Sequence, residues 1–151
     1  MRFEVTILGS GAALPTSLRN PSAQYVWCND RHILIDCGEG TQNQLRKNGI
    51  SLQKISHILI SHLHGDHFFG LVGLLSSMHL LGRNQGITVY GPEGLEQIIR
   101  LQLEIGGASI GFGIDFVTLD GKTPQLLFED NRIEIFTFPL KHRVPTNGFR
   151  I

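Results

Sequence analysis

Thirteen basic residues cancel thirteen acidic ones over the 151 positions, so no global positive field marks the chain as a nucleic-acid binder and any such contact must use a local patch. An apolar fraction of 41% with 17% charged residues excludes a disordered chain; the longest apolar stretch, Phe68 to Leu81, is too short for a bilayer span and contains His79. Two cysteines, Cys28 and Cys37, are too few for a disulfide framework and point to a reduced, cytoplasmic setting.

The opening residues Met1-Arg2-Phe3-Glu4 lack the apolar core and cleavage site of a signal peptide. Phe3 to Leu8 alternates and is rich in Val and Ile, which predicts the first strand. Gly9-Ser10-Gly11 follows as a tight turn; position 14 is Leu where a dinucleotide-binding loop needs its third glycine, so the turn reads as structural. Ala23 to Cys28 and His32 to Ile35 predict a hairpin around Asn29-Asp30. Thr41 to Lys47 has helical composition with Gly49 as its cap, Ser51 starts a short turn, and His57 to Ile60 is a strand.

Phe68 to Leu81 is apolar nearly all round, which predicts a helix buried on several sides or lying at a subunit contact, ended by Gly82. Ile87 to Tyr90 predicts a strand. Pro92 is placed to open a helix through Glu104, with Glu93 and Glu96 near its positive end. Gly106 to Gly113 is a flexible connection before strands near Ile114–Leu119, Gln125–Glu129 and Arg132–Pro139. With no repeat or linker, residues 1–151 read as one domain of α/β or α+β class.

The chemistry concentrates in Ser61-His62-Leu63-His64-Gly65-Asp66-His67, directly after Ile58-Leu59-Ile60. Three imidazoles and a carboxylate in six residues suit zinc, with manganese or iron accepting the same donors. In an extended segment His62 and His64 share a side, and Gly65 lets Asp66 and His67 leave at another angle. One loop thereby offers two ligands to one ion and two to a second. His142, at the end of an alternating strand, is the natural third protein ligand for one of them.

Lys141 and Arg143 beside it read as solvated charge, with a phosphate contact as the alternative. His32, His57 and His79 have no ligand-like neighbours and read as structural or surface residues. Asp36 and Glu39 either cap and charge the start of the Thr41 helix, or Asp36 orients a metal-bound histidine through its free ring nitrogen. The sequence does not separate these two readings.

His62-Leu63-His64-Gly65-Asp66-His67 resembles the signature of the metallo-β-lactamase superfamily. Gly9 to Thr16, Asp36-Cys37-Gly38-Glu39-Gly40-Thr41-Gln42, Ser61 through Leu75, and His142 with Gly148-Phe149-Arg150-Ile151 together resemble the ribonuclease Z family of tRNA 3′-end-processing endonucleases. That resemblance implies an αββα sandwich with two metals at the sheet edge. His62, His64 and His142 would hold one zinc and Asp66 and His67 the other, with Asp66 also catalytic, taking a proton from the attacking water. Precursor tRNA is the implied substrate and a homodimer the implied assembly, with no membrane partner.

Members of that family are considerably longer, and the resemblance implies that their C-terminal half adds a bridging aspartate, a further metal-binding histidine, a catalytic histidine and a tRNA-gripping arm. The chain is therefore expected to be incomplete at its C-terminus and inactive alone, with the inner face of its sheet lacking an opposing sheet. Two alternatives stand beside this reading. One is another hydrolase of the fold, such as a phosphodiesterase or arylsulfatase-like enzyme; the other is a non-catalytic, metal-poor scaffold.

Overall fold

The computed structural model describes residues 2–151; Met1, the first residue of the stretch read for a leader, lies outside them. β1 (Phe3–Gly9), β2 (Ala23–Cys28) and β3 (Arg31–Ile35) run antiparallel in sequence, followed by β4 (His57–Leu59), β5 (Ile87–Pro92) and β6 (Ile114–Leu119) in parallel. Together they form a six-stranded sheet in chain order. Asn29 and Asp30 both take positive φ (46° and 64°), the conformation of a hairpin turn that follows the twist of its strands.

The parallel strands need crossovers, and these supply the helices: α1 (Thr41–Lys47), the short α2 (Gly65–Phe68), α3 (Leu71–Leu80) and α4 (Leu95–Ile105). Leu34, Ile58 and Val89 of the sheet pack against Leu45, Leu71, Leu74, Leu75, Met78 and Ile99 of these helices. None of the described helices is long and apolar enough to cross a membrane.

A second, antiparallel sheet of β7 (Gln125–Glu129), β8 (Glu134–Leu140) and β9 (Thr146–Arg150) lies against the other face. Val26, Cys28, Ile33, Leu59 and Tyr90 meet Ile133 and Ile135 there. Period-two alternation explains the two cores, since Ile33 faces the second sheet while Leu34 faces the helices. Arg31–Asp130 (2.6 Å) and Arg132–Asp30 (2.8 Å) tie the β2–β3 hairpin to the β7–β8 turn.

Among the described residues helices cover one side of the sandwich, so the layers are αββ, as expected of an N-terminal or truncated version of the αββα sandwich. Three expectations change. The inner face of the first sheet is not bare: three strands cover much of it, leaving Phe3, Val5 and Ile7 of β1 exposed at 53%, 46% and 58%. The apolar Phe68–Leu81 stretch breaks between α2 and α3 because Gly70 packs on the Gly38 carbonyl, where a Cβ would sit 2.3 Å away. Pro92 closes β5 opposite Leu119 instead of opening a helix; α4 starts at Leu95 behind Gly94 (φ 91°) and keeps only Glu96 in its first turn.

Candidate metal centre

β3 and β4 run parallel, so their C-terminal ends come side by side, and both motifs leave the sheet at that edge. Beyond β3, Asp36 adopts φ 58° while its amide still donates to the Leu59 carbonyl (2.8 Å). The left-handed turn, which aspartate tolerates better than most residues, brings its buried carboxylate under the loop that follows β4. That loop runs through Ser61, His62, Leu63 and His64 into α2, which presents Asp66 and His67.

His62 Nε2 lies 3.1 Å from His64 Nδ1, and His142 Nε2 lies 3.5 Å from the same atom. The ligand nitrogens of these three residues all fall within 4.8 Å of one another. A tetrahedral ion with nitrogens at about 2.0–2.1 Å separates its ligands by about 3.3 Å, so the spacing fits zinc or a similar ion. The chemistry agrees: burial, with His67 and His64 beside it, holds the His62 imidazole down at about 4, which keeps it an uncharged donor at neutral pH. His142 is exposed and comes from the loop after β8, so the first cluster joins the two sheets.

Asp66 and His67 form an adjoining pair. The Asp66 Oδ2 accepts the Ala13 amide (2.9 Å) and lies 3.4 Å from His67 Nε2. Burial alone would raise the Asp66 carboxyl, but the Ala13 bond and His67 outweigh it and hold it below the usual aspartate value. At His67 burial opposes charge, yet the Asp36 carboxylate at 2.6 Å from Nδ1 prevails and raises the imidazole above its ordinary value. The His62 and His67 ring centroids are 4.0 Å apart, which puts the pair against the first cluster.

Asp36 turns out to be the hub. It accepts from Ser22 Oγ (3.1 Å), the Ser61 amide (2.9 Å) and Ser61 Oγ (3.1 Å) besides His67. Its carboxylate thus engages a histidine ring nitrogen and does not cap α1, whose N-cap is Gly40 (φ 80°) with no side-chain cap, while Glu39 stays exposed. Gly65 also works differently from expectation: it gives space rather than an unusual turn, since a Cβ would meet Phe69 Cε2 at 2.2 Å.

His32 hydrogen-bonds Tyr25, His57 packs on Phe128 and Tyr90, and His79 accepts the Gly111 amide, all apart from the cluster. Lys141 and Arg143 are exposed on either side of His142. Sequence reasoning missed Ser22, Ser61 and the Ala13 amide. Ser61 adjoins the motif and was open to notice; a backbone donor leaves no signature in residue type.

This sandwich with histidines at the strand ends has the metallo-β-lactamase fold. The chain belongs to the family described as anti-Pycsar protein Apyc1, whose model matches residues 3–117. It is also 43% identical over 147 residues to a ribonuclease Z of Parabacteroides distasonis, covering 97% of this chain and 48% of that protein. A ribonuclease Z of Bacteroides thetaiotaomicron is 40% identical over 148 residues, 98% of this chain and 47% of the relative. The chain thus spans about half the length of the curated relatives it matches. The crystal structure of the short form of human tRNase Z superposes with a TM-score of 0.86 at 39% identity, over 96% of this chain and 62% of that one. These findings bear out the resemblance read from the sequence.

Proposed function

We propose that this chain carries the larger part of the metal centre of a zinc-dependent endoribonuclease that removes the 3′ trailer from precursor tRNA. The observation that carries the proposal is the convergence of His62, His64 and His142 on one point beside Asp66 and His67. The names of the relatives supply the substrate class.

In this reading His62 Nε2, His64 Nδ1 and His142 Nε2 hold one divalent ion, and Asp66 Oδ2 with His67 Nε2 hold a second. Such ions supply charge neutralisation at phosphorus and at the departing oxygen. Asp66, kept ionised by the Ala13 amide and His67, would accept the proton of the attacking water. Displacement at phosphorus then leaves a 3′-hydroxyl on the tRNA and a 5′-phosphate on the trailer. Asp66 and His67 are two ligands where a stable site wants more, and the further length of the relatives is the natural source of the rest. We accordingly assign residues 1–151 to part of one metallo-β-lactamase-like domain. A homodimer fits the exposed Phe69, Leu80 and Leu81, and a cytoplasmic setting fits two free cysteines.

The test joins this chain to the matching second half of the Parabacteroides distasonis relative and measures trailer cleavage and metal content together. About two zinc ions and cleavage after the discriminator nucleotide are expected, with His64→Ala abolishing cleavage and losing metal while the fold persists. A folded, metal-loaded fusion that spares precursor tRNA but opens simple phosphodiesters favours the phosphodiesterase reading. Near-normal cleavage by His64→Ala with undiminished metal overturns the two-ion assignment.

A further inference from the structure

Ser61 brings both histidine sites within reach of a single hydroxyl. Its Oγ lies 3.1 Å from Asp36 Oδ2, 3.0 Å from His62 Nδ1 and 3.3 Å from His67 Nδ1. We infer that Ser61 is a positioning residue that, with Asp36, locks His62 and His67 in the same tautomer and so aims both Nε2 atoms at the ions. The inference rests on the metal reading above and extends it to a residue that touches neither ion nor substrate.

Proton accounting leads there directly. An ionised carboxylate only accepts, so the Ser61 O–H points to Asp36 and so does the proton on His67 Nδ1, 2.6 Å away. Ser61 Oγ then has only lone pairs left for His62, and a bond at 3.0 Å requires the proton on His62 Nδ1. In the uncharged, singly protonated rings both Nε2 atoms are then bare. His62 Nε2 is the atom that faces His64 Nδ1 at 3.1 Å, and His67 Nε2 is the atom that faces Asp66. A ring whose Nδ1–H has an acceptor cannot drift to the Nε2–H form that free imidazole side chains favour, in which the ligand lone pair is lost.

The Ser61 amide, donating to Asp36 Oδ1 at 2.9 Å, holds the hydroxyl in place. Ser22 completes the carboxylate from the other side.

The experiment labels the histidines with nitrogen-15 in the metal-free chain and reads each ring's tautomer from long-range proton–nitrogen couplings. Zinc affinity is measured alongside by competition with a chelator. Wild type is expected to show Nδ1–H at His62 and His67. Ser61→Ala is expected to move His62 toward Nε2–H and weaken zinc binding roughly 10- to 100-fold, and Ser61→Thr to restore both. His62 found as Nε2–H in the wild type overturns the inference, whatever the alanine variant does; so does a folded Ser61→Ala protein with unchanged tautomers and affinity. Wild-type protein with both Nδ1–H tautomers and no zinc uptake upholds the assignment of Ser61 and overturns the metal reading instead.

Discussion

Asn147 of β9 donates its backbone amide to the Ser61 carbonyl at 2.9 Å, and its side-chain amide reaches the same oxygen at 3.4 Å. This latch fastens the three-stranded sheet to the loop that carries His62 and His64. His142 lies on the connection just before β9, so the latch also sets how far it stands from the other two imidazoles. Thr137 Oγ1 backs the side chain by donating to Asn147 Oδ1 at 3.3 Å.

Asn147→Ala keeps the backbone bond but removes the side-chain ones from a residue that is 2% exposed. The expected loss is about 1–2 kcal/mol in urea unfolding. Zinc affinity is expected to fall as well, because His142 is exposed and has few other restraints. Unchanged affinity in a destabilised variant would show that the latch serves the fold alone.

Gly38 offers a sharper test of how the two loops hold each other. A Cβ there would stand 2.4 Å from the Asp66 carbonyl and 2.6 Å from Pro21 Cβ, so Gly38→Ala must push α2 away from the β3–α1 turn. We expect a cost of about 3 kcal/mol from overpacking, together with displacement of Asp66. Gly49→Ala is the control: φ is 67° but nothing lies within 4 Å, so only the backbone strain of about 1–2 kcal/mol applies. Comparing the two urea midpoints checks the ordering; equal losses would refute the close approach.

The thiols give a prediction about exposure. Burial pushes the Cys37 thiol up to about 12, and burial also raises Cys28. Both are free, so a thiol-specific colour reagent at pH 8 should find neither in native protein and both after denaturation in urea. Rapid labelling of Cys37 in the native state would contradict its burial in the core between the first sheet and the helices.

Legibility followed the physical kind of signal. His62, His64, Asp66 and His67 stood out as candidates because metal-binding types rarely crowd together in one loop after a strand, and His142 because it follows a strand end. β1 and β8 were readable from alternation and the hairpin from Asn29-Asp30, whereas β9, with the sequence Thr-Asn-Gly-Phe-Arg, carried no such pattern. What failed depended on contacts between distant segments. The break at Gly70 answers to Gly38, 32 positions earlier, and Pro92 ends a strand because β6 lies alongside it. The hold on Asp66 comes from the backbone of Ala13, where any residue supplies the same amide. The resemblance implied a bare inner face, and it did not show that β7, β8 and β9 fold back to cover much of it.

His57 supplies the pH dependence. It is buried between the sheets, its ring centroid 4.4 Å from that of Phe128 and stacked on Tyr90 at 16°. Burial first, and Arg31 second, lower its imidazole below the ordinary 6.5. A lowered value means that the unfolded chain takes up the proton more readily than the folded one. The contribution of His57 is therefore complete above about pH 6.5 and is lost as the pH falls toward the folded value. His32 and His62 shift the same way, so the total acid sensitivity of the protein is not specific to His57. The difference between wild type and His57→Phe is specific, because phenylalanine fills the same space without titrating. Urea midpoints taken at pH 7.5 and 5.5 should show wild type losing more stability than the variant on acidification. An equal loss in both would mean that His57 does not resist protonation in the folded protein.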